Sequence, residues 1–572
     1  MIANFGFGDE QSSWAGTFFS PSSVLIAERL DEVVPLIVRA EHEAHAGNFV
    51  AMMLSYEAAP AFDTALVTHN ATRLPLAWAA VFPEFKITSM GEEKNYSLSQ
   101  WTPGVTRSEY NQAIAQIHEL IARGDTYQVN YCFSLNATFT GNPLAFYRQL
   151  SVAQGAPFSA FLDLGRYKVL SLSPELFFER TGDVVRARPM KGTIRRGRWT
   201  SEDQLLAEEL SSSQKDRAEN VMIVDLLRND LGKVSIPGTV AVTSLFELER
   251  FETVWQMTST IQSQLQPATS LAQLLTALFP CGSITGAPKI RTMQIIRQLE
   301  SRERGAYTGT IGLIRPGGDC VFNVAIRTVV IDSENEQATF GVGGGITIDS
   351  TAENEYEECL VKARFLNVSP RSFDLFESIL LEDGSLFLLE RHLQRLRESA
   401  DYFGFEFSEQ RAAAELEKVR NNTPTDKWKV RLLLTKTGEI STDIKRLSPV
   451  NIFKVGLAAS PVDSSDRLLF HKTTSRGSYD AQLAARPECD DLIFFNERDE
   501  LTESTIANVV VKLSGRLYTP PVSAGLLAGT FRNQLLADGE IEERTIRIEE
   551  IEEAEAVFLI NSVRKWIQVE VV

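Results

Sequence analysis

At 572 residues the chain is too long for a single ordinary core, so two or more domains are expected. An apolar fraction of 44% with 23% charged residues describes an ordinary globular chain rather than a disordered one. A formal net charge of −18 argues against a nucleic-acid or anionic-membrane partner and means that an anionic substrate needs a local basic pocket.

The N-terminal "MIANFGFGDE" has no basic-then-apolar signal pattern and no eighteen-residue apolar run follows, so no membrane segment is expected. Cysteines 132, 281, 320, 359 and 489 show no C-x-x-C pairing and read as reduced thiols, which points to a cytoplasmic protein. With only six histidines, acid–base work falls to carboxylates and lysines.

In chain order, "TRSE" (106–109) reads as a capping box for a helix with Ile114, Ile117 and Ile121 on one face, ending at Gly124. The next nine residues alternate, Tyr127 to Leu135 apolar at odd positions and Gln128, Asn130, Cys132 and Ser134 between them, which predicts a strand with a polar second face. "RARPMKGTIRRGR" (186–198) sets Lys191 among five arginines, the obvious basic pocket. A further point charge adds little there, whereas an amine that can lose its proton is chemically different. "DRAENVMIVDLLRND" (216–230) predicts a helix on which Asp216 and Glu219 fit a capping box. "CGSITGAPKIRTMQII" (281–296) runs from a glycine-containing loop into a helix with Pro288 near its first turn, a start that offers free N–H groups to an anion. "GVGGGITIDS" (341–350) suggests close backbone approach to a ligand or a tight turn. "AENEYEECLVKARF" (352–365) is a second helix with Glu355 and Glu358 on one face, either solvated or, with Glu219, converging on a hard cation such as magnesium. The polar link "NVSPRS" (367–372) marks the best boundary. It separates a domain over 1–368 from one over 369–572. Strands and helices mix without a βαβ rhythm, so the fold class is α+β.

Taken in order, "GDTYQVN", "SPE", "RPMKGT", "DRAENVMIVDLLRNDLG", "GSITGAPK" and "GGGITIDSTAENEYEE" resemble the chorismate-utilising enzymes, and among them the branch that forms aminodeoxychorismate. The resemblance implies a large sandwich with the active site between its sheets. In anthranilate-forming members alanine stands where this chain has Lys191. The resemblance implies that Lys191, its pKa depressed by desolvation and the neighbouring arginines, attacks carbon 2 of chorismate as the ring hydroxyl leaves; ammonia then enters at carbon 4 and expels the lysine. Glu175 matches the general acid–base carboxylate. Glu219 and Glu358 match magnesium ligands, with Glu355 in support. Tyr307, Arg327, Gly343 and Gly345 match substrate-binding positions, and Thr285, Gly286 and Ala287 line the same site. Gln128 stands where isochorismate-forming relatives carry a water-activating lysine. Gln256 replaces a histidine found in many relatives.

Beyond the boundary, "FDLFESILLEDGSLFLLERHLQRLRESADYFGF" (373–405) predicts a hairpin and a helix. With "HKTTSRGSYD", "LTESTIAN" and "AGLLAGTFRN" it resembles the class IV pyridoxal-phosphate enzymes, which include aminotransferases and aminodeoxychorismate lyase. By motif Lys472 carries the cofactor as a Schiff base, Glu503 faces its pyridine nitrogen, Arg395 reaches the phosphate, and Gly529 and Thr530 donate to it at a helix start. The domain looks trimmed at both ends relative to that family. The joint expectation is a bifunctional enzyme making 4-aminobenzoate for folate from chorismate, with magnesium in the first domain and pyridoxal 5'-phosphate in the second. Ammonia is free or comes from a separate glutamine amidotransferase subunit, and the second domain offers a route to a homodimer. The rivals are anthranilate synthesis, an aminotransferase for another substrate, or a non-catalytic second domain.

Overall fold

The computed structural model describes residues 2–8, 13–85, 95–367, 372–448 and 452–572. Between Asn367 and Ser372, the expected interdomain link lies outside the described residues. The chain divides into two compact units, Met1–Arg195 with Ala207–Pro370, and Arg196–Leu206 with Arg371–Val572. The expected single cut assigned Arg196–Leu206 to the first domain, and the structure differs. Within the second unit the Arg196 guanidinium lies 4.5 Å from the Tyr402 ring, and the Tyr402 hydroxyl donates to the Gly197 carbonyl at 2.6 Å. Arg198 donates to the Ser464 carbonyl at 3.2 Å and lies 5.3 Å from the Phe470 ring. These partners are more than 190 positions away, so no local pattern in the sequence announces them.

The first unit is built on two ten-stranded sheets. One runs Gly286–Ala287, Gln128–Gly141, Gln337–Ile346, Thr328–Asp332, Tyr167–Ser173, Phe158–Asp163, Ile2–Gly8, Ser13–Phe19 from edge to edge, with two short strands beside Gln128–Gly141. The other runs Met190–Arg195, Val254–Gln264, Val184–Arg188, Leu176–Thr181, Cys320–Val324, Thr310–Ile314, Phe49–Leu54, Ala77–Phe82, Ser23–Ala27, with Ala241–Arg250 beside Val254–Gln264. Phe5, Phe7 and Phe158 of the first sheet share one apolar cluster with Met53, Trp78 and Ile311 of the second, which makes the pair a sandwich. Helices cover the outer faces: Arg107–Ala122 and Ala352–Ala363 on the first sheet, Leu30–His45 and Leu271–Leu278 on the second. The Arg107–Ala122 helix starts at the capping box expected of it, with Thr106 accepting from the Glu109 N–H. The α+β class follows from these antiparallel layers.

The second unit holds a four-stranded sheet, Ser385–Leu386, Leu375–Glu382, Lys427–Leu434, Ile440–Arg446, and an eight-stranded sheet in which Phe453–Leu457 pairs in parallel with both Asp491–Phe495 and Lys565–Val571. The hairpin expected after Phe373 is Leu375–Glu382 with Ser385–Leu386, and the helix is Leu389–Phe403. No described helix is long and apolar enough to cross a membrane.

One buried ion pair ties the first unit's elements together. Arg304 and Glu300, 3% and 5% exposed at their side chains, meet at 2.6 Å. Arg304 also donates to the carbonyls of Asn130 at 2.7 Å and Ile284 at 3.1 Å, while Glu300 accepts from the Cys132 N–H at 2.9 Å. Removing one partner leaves a buried charge uncompensated. Glu300→Gln is therefore expected to lower stability by about 3–5 kcal/mol, read as a shift in the urea midpoint.

Candidate active sites

In the first unit the site is assembled from elements far apart in sequence. Strand Gln128–Gly141 presents Gln128, fully buried, with neither atom of its side-chain amide hydrogen-bonded. Pairing of Gly345 with Asn130 and of Gly343 with Cys132 lays the glycine run of strand Gln337–Ile346 alongside. These glycines are extended backbone rather than a turn. A Cβ on Gly345 would stand 2.3 Å from Gln128 Nε2 and 2.5 Å from Lys191 Nζ, and one on Gly343 would stand 2.5 Å from Cys132 Sγ. Close approach is the reason for the glycines, and it brings Lys191 and Gln128 to one spot.

Carboxylates face Lys191. Glu219 lies 3.4 Å from its amine. Glu175, 3% exposed, is pushed up to about 7 by burial, while the Ser283 hydroxyl, donating at 2.7 Å, and the Lys191 charge pull it down. Glu358 is held below the ordinary range chiefly by Lys362 at 2.7 Å, with Lys191 contributing. Glu355 is raised by burial and accepts from the Ser350 hydroxyl at 2.7 Å. Two of the arginines expected around Lys191 pair with other carboxylates, a correction to the sequence reading. Arg186 pairs with Glu179 at 2.6 Å, Arg188 with Glu249 at 3.3 Å, and Arg196 and Arg198 belong to the second unit. The cap is corrected too. Ser213 caps helix Gln214–Gly232 by accepting from the Asp216 N–H, which leaves Glu219 more than a turn inside and free to face Lys191.

Of the expected substrate positions, Thr285 to Ala287 and Tyr307 adjoin the Gln128 strand. Thr285, Gly286 and Ala287 are stitched to the Gln128 strand: Gly286 pairs with Val129, Ala287 with Gln128, and the Asn130 N–H donates to the Thr285 carbonyl at 2.8 Å. The Tyr307 hydroxyl, its pKa raised by burial, lies 3.8 Å from Cys132 Sγ. Arg327 takes a positive φ of 50°, its buried Nη1 has no hydrogen-bond partner, and burial lowers it to about 10. An arginine kept dry with an unfilled donor is suited to a carboxylate. Pro288 caps helix Lys289–Leu299. A cavity of about 90 Å³ shares Tyr307, Cys132 and Gly341 with this sheet face but is not lined by Lys191.

In the second unit Lys472 lies 4.9 Å from the Phe376 ring centre and is pushed down to about 7 by burial, helped by the Arg395 charge. Glu503 is pushed up to about 7 by burial, against Arg476 and Lys472, and accepts from the Leu527 N–H at 3.2 Å and the Tyr479 hydroxyl at 3.3 Å. Gly529 caps helix Thr530–Ala537, and a Cβ there would meet Asn508 Oδ1 at 2.1 Å. Arg395 is held by Glu377 through two bonds, 2.8 and 2.7 Å, and donates to the Ala528 carbonyl at 3.0 Å. His392 bridges Glu377 at 2.7 Å and the Thr530 hydroxyl at 3.2 Å. Burial raises Glu377, but Arg395 and His392 outweigh it and hold it at about 2.

Comparison with known proteins decides the family. The chorismate binding enzyme family matches residues 86–368 and amino-transferase class IV matches 374–572. The chain is a chorismate-binding enzyme with a class IV aminotransferase domain. Aminodeoxychorismate synthase component 1 of Escherichia coli is 41% identical over 298 residues, 52% of this chain and 64% of that protein. Anthranilate synthase component 1 of Aquifex aeolicus is 37% identical over 274 residues, 48% of this chain and 55% of that protein. The chain thus spans under two thirds of the length of these relatives. Among solved structures, anthranilate synthase component I from Streptococcus pneumoniae superposes with a TM-score of 0.54 at 25% identity, covering 61% of this chain and 91% of that one.

The carboxylates of this chorismate-binding site are hard donors suited to magnesium, but they do not form a cage. Glu219 turns to Lys191 and Glu358 to Lys362, and no group of three His, Cys, Asp or Glu side chains among the described residues could hold an ion. The class IV site fits pyridoxal phosphate better, since a buried low-pKa lysine and a buried carboxyl act on each other beside a glycine-capped helix. Arg395 is the exception, being committed to Glu377 rather than free for a phosphate. Sequence reasoning missed Ser283, Lys362 and the Glu300–Arg304 pair. The i, i+4 spacing of Glu358 with Lys362 and of Glu300 with Arg304 was the available signal. Lys362 matters because its amine donates to the Gly343 carbonyl at 3.0 Å.

Gly345→Ala is expected to weaken chorismate binding by about tenfold or more, since the new methyl displaces Lys191 and Gln128. Calorimetric titration checks this, with the far-ultraviolet spectrum unchanged.

Proposed function

We propose that the chain makes 4-aminobenzoate from chorismate in two steps, one in each unit. The observation that carries the first step is the meeting of a lysine amine and an unfilled amide at Gly345, beside a buried carboxyl that accepts from Ser283. Glu175, with a pKa of about 7, gives a proton to the departing carbon 4 hydroxyl. The Lys191 nitrogen forms a bond to carbon 2 as the carbon 1–carbon 2 double bond moves to carbon 1–carbon 6, the carbon 5–carbon 6 double bond moves to carbon 4–carbon 5, and the carbon 4 oxygen leaves as water. Ammonia then bonds to carbon 4, the two double bonds shift back, the carbon 2–nitrogen bond breaks to return Lys191, and the proton shed by the new amine returns to Glu175. Gln128 is neutral and cannot activate water, which favours an amine over a hydroxide as the attacking group. Arg327 and the Gln128 amide supply donors for the substrate carboxylates.

In the second unit a bound pyridoxal phosphate would supply an electron sink. Lys472, at about 7, can carry the cofactor and take the carbon 4 proton of aminodeoxychorismate near neutral pH. Loss of the enolpyruvyl group as pyruvate then aromatises the ring. Glu503 would face the pyridine nitrogen of the bound cofactor and keep it protonated. Ammonia comes from solution or from a separate glutamine amidotransferase, in keeping with the "component 1" in the names of the relatives.

Product analysis after supplying chorismate, magnesium, pyridoxal phosphate and an ammonium salt tests the whole reading. 4-Aminobenzoate and pyruvate are expected, and anthranilate would overturn it. Lys191→Ala is expected to abolish aminodeoxychorismate formation with the fold intact; full synthesis by this variant would show that Lys191 is not the nucleophile. Lys472→Ala is expected to accumulate aminodeoxychorismate while chorismate consumption continues, and an added active lyase should restore 4-aminobenzoate. At constant free ammonia, kcat for chorismate is expected to fall as pH rises through about 7, because Glu175 then loses the proton it must donate, and Glu175→Gln should lose that limb along with most activity.

A further inference from the structure

The strand carrying Lys191 does not pair evenly with its neighbour. Met190 stands opposite Thr258 and Thr193 opposite Gln256, so three steps on one strand match two on the other. The extra residue falls at Lys191–Gly192, and Gly192 has the positive φ, 96°, that such a bulge demands. A bulge re-aims a side chain, and it also strips backbone groups of their ladder partners. Here side chains replace them. Gln256 Nε2 donates to the Gly192 carbonyl at 3.0 Å, and the Thr193 hydroxyl donates to Gln256 Oε1 at 3.0 Å. One residue earlier, Asn220 Nδ2 donates to the Lys191 carbonyl at 3.4 Å while its Oδ1 accepts from the Ser259 hydroxyl at 2.6 Å. Gln256 is 8% exposed, so both of its bonds are largely shielded from water.

We propose that Gln256 is the positioning residue of Lys191: its amide spans the bulge, donor at one end and acceptor at the other, and so fixes where the amine points. The proposal rests on Lys191 being the nucleophile of the first step. Only an amide of this length satisfies both contacts. A glutamate at this position keeps the bond from Thr193 but sets an anionic oxygen against the Gly192 carbonyl. A methionine fills the same space with neither bond.

The test compares wild type, Gln256→Met, Gln256→Glu and Lys191→Ala in chorismate turnover, thermal melting, and the rate at which trinitrobenzenesulfonate labels Lys191, quantified in the peptide that contains it. Gln256→Met is expected to lose about 10- to 100-fold in kcat, with KM for chorismate within about twofold, because misplacing a reacting group costs rate rather than binding. The labelling rate of Lys191 is expected to change in the same variant while the melting temperature stays close to wild type. Wild-type kcat and labelling in Gln256→Met would overturn the proposal, as would a loss that tracks a fall in melting temperature. Should Lys191→Ala retain full turnover, the nucleophile reading fails, and the labelling rate alone decides whether Gln256 orients the lysine.

Discussion

The buried pair of Arg304 and Glu300 is the constraint on which the first unit's chemistry depends. An arginine taken out of water must have its donors filled, and here the fillers are the Asn130 and Ile284 carbonyls, together with Glu300, which itself accepts from Cys132. One guanidinium thereby locks the Gln128 strand to the turn that carries Ser283. The pair touches no proposed reacting atom. Its effect is to make the position of Gln128 and the donor to Glu175 properties of a single rigid body.

Against that frame the unfilled groups acquire meaning. A buried polar atom without a partner costs about 1–3 kcal/mol. Gln128, beside Gly345, leaves both amide atoms unfilled, and the buried Arg327 leaves a nitrogen unfilled. On the proposed function, substrate carboxylates restore the missing bonds at Gln128 and Arg327. The second unit spends its rigid contacts differently. Glu377 binds Arg395 and His392, and His392 reaches Thr530, so the helix start at Gly529 is braced from behind.

Burial tunes both sites toward neutral pH. It brings Glu175 and Glu503 up to about 7 and Lys472 down to about 7, placing two acids and an amine where they exchange protons readily. Apolar surroundings act the same way on unrelated folds, because desolvation disfavours whichever form is charged.

Much of this was legible in the chain itself. The alternation from Gln128 to Leu135, the capping box at Thr106, the hairpin after Phe373 and the ordered motifs that mark both families rest on short-range pattern, where residue type and backbone geometry act over a few positions. The glycine run was legible as a place of close approach but not as a strand. What only the tertiary structure decided was partnership at long range. Arg186 and Arg188 are claimed by Glu179 and Glu249, Glu219 faces the lysine, and Ser213 takes the cap that would have occupied Glu219. A charge in sequence has no assigned partner until packing excludes water and brings one oxygen, rather than another, within reach.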